Sequence, residues 1–138
     1  MINKILCIAS FFIAVITNVT PAQNYIGKHK DEIIRLMSQD LKNFKQNKDV
    51  INHTYKYLKY EDRISEQTIL FFLSEDDHCT LVRWISDYSN INDLTARLDQ
   101  KYTTAGKNAW AYAENGKKYM ITLKEEEWFF TVTFRLQN

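Results

Sequence analysis

TILFFLSEDDHCTLVRWIS, Thr68–Ser86, decides how the chain is built. Two runs of β-branched and aromatic residues flank a polar tip, Ser74-Glu75-Asp76-Asp77-His78. Strand side chains alternate between the two faces of a sheet. A loop this short joins antiparallel neighbours, because a parallel crossover needs a dozen residues or more. The stretch therefore reads as a hairpin whose strands are apolar on both sides. Leu81, Arg83 and Ile85 point one way from the second strand, Val82 and Trp84 the other.

The pattern extends outward in both directions. Upstream, HTYKYLKY (53–60) alternates in the same way and connects through EDRISEQ (61–67), giving three antiparallel strands. Before it, Ile33, Met37, Leu41 and Phe44 recur at near-helical spacing. They predict an amphipathic helix over 28–45 that stops before Asn47-Lys48-Asp49. Downstream, Ile91, Leu94, Leu98 and Tyr102 predict a second helix from about Asn90, capped by Ser89 or Asn90, with Asp93 in its first turn. TTAGKN (103–108) reads as the linker that ends it.

The last third repeats the theme. Asn115-Gly116 sits between two alternating runs, and a type I′ turn requires positive φ at both central residues, so strands near Asn108–Ala113 and Lys117–Leu123 pair. Lys124–Glu127 reads as a solvated charged turn rather than an acidic docking site. In the final run, WFFTVTFRL, Trp128, Phe130, Val132 and Phe134 face one way, Phe129, Thr131, Thr133 and Arg135 the other. The expected fold is α+β, an antiparallel sheet of about six strands covered on one face by two helices, in the order αβββαβββ. One domain spans 23–138, and the repeated order divides it into halves at 23–88 and 89–138.

Tyr25, Gly27, Glu32 and Ile33, followed by the α-β-β-β succession, resemble small exported modules of the SmpA/OmlA and β-lactamase-inhibitor-protein type. The chain lacks the Gly-x-Pro that often follows the first helix in the lipoprotein branch, and the disulfides of the inhibitor branch. The resemblance implies a non-catalytic, protein-binding module in the cell envelope or outside it.

The first 22 residues have the grammar of a secretory signal: Lys4, an apolar run Ile5–Val19, and a small-residue exit at Thr20-Pro21-Ala22, with cleavage expected after Ala22. The run is shorter than the ~20 apolar residues of a spanning helix. Cys7 opens the run, whereas a lipidated cysteine would follow it. An exported chain, periplasmic or extracellular, without a transmembrane segment in its mature form is the expectation. The net charge of +1 falls to about zero once Lys4 is removed, which leaves no basic excess for nucleic acid. Cys79 then stands alone, and no intramolecular disulfide can form.

SEDDHC (74–79) also raises metal or thiol chemistry. His78 and Cys79 are adjacent strand residues, so their side chains diverge and cannot both reach one ion, and zinc needs three or four converging ligands. His29 and His53 have no spacing that ties them to His78. A calcium loop would need alternating oxygen ligands and a central Gly. Cys79 beside His78 could be an activated nucleophile, but Asp76 and Asp77 oppose thiolate formation and Cys packs as a small hydrophobe. The reading is a polar hairpin tip, with no metal, no cofactor and no catalytic residue.

The aromatic content carries the functional expectation. Two helices cover one face only, so Tyr57, Leu70, Phe72, Arg83 and Phe129 are expected on an uncovered face, a mosaic typical of protein interfaces. The expected function is a secreted or periplasmic binding module that contacts a protein or peptide. The alternatives are a homodimeric structural component of the envelope, closed by the same face, and a small metal or thiol protein centred on His78 and Cys79.

Overall fold

The computed structural model describes residues 25–48 and 54–138. The expected export signal and His53 lie outside them. The element order is α1 (Lys30–Asp40), β1 (Lys45–Asn47), β2 (Tyr57–Asp62), β3 (Gln67–Leu73), β4 (Cys79–Asp87), α2 (Ile91–Lys101), β5 (Thr103–Gly106), β6 (Ala109–Glu114), β7 (Lys117–Glu125) and β8 (Phe129–Leu136). All strands belong to one antiparallel sheet in the order β1-β2-β3-β4-β8-β7-β6-β5. Each half is a helix followed by a four-strand meander, and the halves join through their last strands, β4 beside β8.

The expected sheet of about six strands in the order αβββαβββ is thus corrected to eight strands among the described residues, in the order αββββαββββ. Both added strands lie at the sheet edges. The helix expected over 28–45 ends at Asp40, and β1 begins at Lys45. Leu41 and Phe44 keep the apolar period and pack against the core, but the chain turns between them, and Lys45–Asn47 pairs with Lys59–Glu61 of β2. Asn43 is a weak helix former, and pairing with β2 satisfies the backbone groups of Lys45–Asn47 instead. β5 is the expected linker: Thr103 and Thr104 pair with Ala111 and Trp110. All four of its residues are exposed, so no buried side chain marks it in the sequence.

One face of the sheet carries the core. Tyr60, Ile69, Trp84, Val132 and Leu123 are paired in register across five strands. The next row holds Phe71, Val82, Phe134, Ile121 and Trp110. Ile33 and Met37 of α1 and Leu94 and Leu98 of α2 close over both rows, and all of these side chains are buried. Removing each from water stabilises the fold by about 1.5–3 kcal/mol before entropy is counted. Tyr25 joins them, its ring 4.9 Å from that of Phe71. Burial pushes its phenol up to about 12. Trp110 also ties α2 to β6, its Nε1 donating to Asp99 Oδ1 at 2.8 Å.

Two local expectations change. Trp128 precedes β8 and is 76% exposed rather than inward; the alternation holds from Phe129, with Phe130, Val132 and Phe134 fully buried. The turn into α2 is capped by Asp87, whose Oδ1 accepts from Ser89 N at 2.9 Å, while Asn90 donates from its amide to Ser86 Oγ at 3.0 Å. The Asn115-Gly116 turn has φ of 51° and 75°, as type I′ requires. Among the described residues no helix is long and apolar enough to cross a membrane.

Candidate functional site

The face opposite the helices has no layer over it among the described residues, and none of its side chains is buried. One row across it reads Tyr57, Phe72, Leu81, Arg135, Met120 and Ala111. The next reads Lys59, Leu70, Arg83, Thr133, Thr122 and Ala109. Threonines fill the centre and alanines the β6 end, while large apolar side chains gather on β2, β3 and β4.

At that end the face forms a groove of about 740 Å³, lined among others by Tyr55, Tyr57, Leu70, Phe72, Leu81 and Arg83. Its floor is organised around Phe72. Tyr55 meets that ring edge-on at 6.3 Å, Tyr57 lies at 5.8 Å, and the Arg83 guanidinium carbon sits 5.5 Å from the ring centre. Such stacking holds a planar cation in place over an aromatic face. Lys59 and Glu61, one strand toward the edge, pair at 2.8 Å. Lys59 first and Asn47 second hold the Glu61 carboxyl below its usual range.

The hairpin tip Ser74–His78 closes one end of the groove and is held from several sides. Asp77 adopts φ of 66°, a left-handed conformation that Asp tolerates better than most residues. Its carboxylate pairs with Lys56 and, at 3.0 Å, with Lys30 of α1. These bonds lower its pKa to about 2. Ser74 Oγ donates to Asp76 and accepts from His78 N at 3.1 Å. The chain before α1 is stitched on as well, because β8 stops short of Cys79. Gly27 N donates to Cys79 O at 2.7 Å and Cys79 N to Lys28 O at 2.9 Å.

That stitching pairs His29 with His78 across an isolated bridge, with ring centres 5.4 Å apart. No spacing in the sequence tied the two together. His29 Nδ1 accepts from Asp31 N at 3.3 Å, capping α1, and His78 Nδ1 lies 3.2 Å from Asp76 Oδ2. No group of three or more metal-ligating side chains occurs among the described residues. Cys79 belongs to the buried core, where it is 2% exposed, and burial pushes its thiol up to about 12. A thiol so placed packs as a small hydrophobe, and burial disfavours its thiolate.

Of the five residues expected at an interface, Tyr57, Leu70, Phe72 and Arg83 line one groove. Phe129 shares their face but not their site. It pairs with Asp87 at the far end of β8, is 41% exposed, and adjoins Trp128. Tyr55 was missed, although its period-two spacing from Tyr57 places it on the same side. No family model matches the chain, and neither does any curated protein or solved structure.

Proposed function

We propose that the chain is an exported, non-catalytic binding module whose uncovered sheet face, at the β2–β4 end, receives a segment of a partner protein. The observation that carries this is the groove around Phe72. It combines aromatic rings, an aliphatic floor and a stacked arginine, the residue types enriched at interface hot spots, on the side of the sheet that the helices leave bare. The edges are poorer docking places. β1 has three residues and opens with Lys45, and β5 is broken by a register shift between Thr104 and Gly106. Short, charged or bulged edges resist strand addition. The burial of Cys79 weighs against a thiol centre, and the resemblance to exported binding modules leans the same way as the groove.

A photo-crosslinking amino acid at position 72 tests the reading in the producing cell, with position 64 as control because Ile64 is 97% exposed on a remote turn. The expected result is one adduct of defined mass from position 72 and none from position 64. An adduct of twice the chain mass transfers the face to a homodimer. No adduct, or the same adducts from both positions, refutes the proposal.

A further inference from the structure

Resting on the reading of this face as a docking site, we propose that its occupant is a protein segment presenting a carboxylate beside an aromatic or aliphatic side chain, and that Arg83 receives that carboxylate. The face carries an unbalanced charge. Lys59 is matched by Glu61, Lys124 by Glu126, and Lys56 by Asp77. Arg83 and Arg135 have no carboxylate partner among the described residues. They are also neighbours: Arg83 pairs with Thr133 and Leu81 with Arg135, so the two arginines stand diagonally across β4 and β8 on one face. Diagonal neighbours in a sheet are about 7–8 Å apart, within reach of long side chains. Two like charges at that spacing repel weakly in water, and an anion lying between or beside them relieves the repulsion. The groove offers one acidic rival, Glu75, which sits on the hairpin tip at its end.

The geometry around Arg83 narrows the anion. The Arg83 guanidinium lies over the Phe72 ring, and no carboxylate takes its N–H groups among the described residues, so they can form a fork with an incoming one. The adjoining surface is Leu70, Leu81 and the rings of Tyr55 and Tyr57, which reward an apolar side chain next to that carboxylate. Nucleic acid fits poorly, since the chain carries 18 Lys and Arg against 17 Asp and Glu, and phosphate tracking needs a basic surface excess.

The probes are two capped peptides, acetyl-Phe-Asp-Phe-amide and acetyl-Phe-Asn-Phe-amide, titrated into isotope-labelled protein and followed by NMR, with inorganic phosphate in a third titration. The expected result is that the Asp peptide shifts the Arg83 Nε–H and the Leu70, Tyr57 and Phe72 side-chain signals, and binds about tenfold more tightly than the Asn peptide, the scale of a charge-assisted hydrogen bond. Arg83→Gln should bring the Asp peptide down to the Asn level, while Arg83→Lys keeps part of the difference; unchanged circular dichroism checks the fold of both. Equal binding of the two peptides, or indifference to Arg83→Gln, overturns the carboxylate inference and leaves the docking face standing. Phosphate shifting Arg83 more strongly than the Asp peptide also overturns it, in favour of a phosphorylated ligand. Signals of the groove that respond to neither peptide overturn both the inference and the reading beneath it.

Discussion

Phe71 and Phe72 are adjacent in the chain and chemically identical, yet they stand on opposite faces of β3, so replacing each by alanine measures how unlike those faces are. Phe71 is fully buried, with the rings of Tyr25 and Tyr60 at 4.9 and 5.9 Å. Phe71→Ala should cost about 3–5 kcal/mol, the usual range for emptying an aromatic core site. Phe72 is half-buried and keeps water on its outer side. Its losses are two ring contacts and the Arg83 stack, together about 1–2 kcal/mol. Urea unfolding of the purified protein reads both values, with an unchanged slope confirming that the exposed surface on unfolding is the same. At this chain length a difference of about 2–3 kcal/mol separates the melting temperatures by roughly 10 °C. Where Phe71→Ala is too unstable to purify, the Leu substitutions at both positions give the same ranking on a smaller scale. Equal destabilisation by the two alanines would mean that something covers Phe72 in the free protein, and the open face would then not exist.

Three further outcomes follow from local geometry. The Asp77 carboxyl is held at about 2 in the folded chain, below its ordinary 3.8, so it stabilises the fold above that ordinary value and the contribution disappears as pH falls from about 4 to 2. Asp77→Asn, which keeps the tolerance of positive φ, should therefore be less stable than the parent at pH 7 and indistinguishable from it near pH 2 in denaturant titrations. Iodoacetamide at pH 8 should leave Cys79 unmodified in the native protein and alkylate it fully in urea, read by peptide mass; rapid native labelling would contradict its burial. Gly116→Ala meets no neighbouring atom within 4 Å but must hold φ of 75°, so it should cost about 1 kcal/mol through backbone strain alone.

The parts of the fold that were readable from residues are those where burial and period agree. The central strands alternate cleanly, and Phe130, Val132 and Phe134 could be assigned to the core from spacing alone. The edges were unreadable for the converse reason. Lys45–Asn47 and Thr103–Gly106 owe their extended form to the neighbours they pair with, and they bury no apolar side chain that could leave a pattern. Leu41 and Phe44 misled because a turn can keep apolar residues against a core at the same spacing as a helix. The same division applies to the site. Tyr57, Leu70, Phe72 and Arg83 follow from strand parity, while the pairing of His29 with His78 depends on a single bridge between distant segments. Phe129 has the right parity but lies at the wrong end of its strand, and parity carries no information about position along the strand axis.

The geometry of the layers explains why one face stays bare, and the side chains show how unevenly that face is furnished. Eight strands at about 4.8 Å spacing make a sheet roughly 34 Å wide, whereas two helices of about 10 Å diameter shield about 20 Å of it. The helical layer is fully used on one face, with Tyr25 on the first half and Tyr102 and Tyr112 on the second filling in beside it. The two halves then share a topology but differ on the bare side. The first presents Tyr57, Leu70 and Phe72; the second, in the strands that correspond, presents Ala109, Ala111, Met120 and Thr122. Large rings beside Arg83 concentrate on β2–β4, whereas the second half spreads Met120, Arg135 and Phe129 among small side chains. That asymmetry, more than the aromatic content of the chain, supports the proposal that a partner docks in the groove around Phe72.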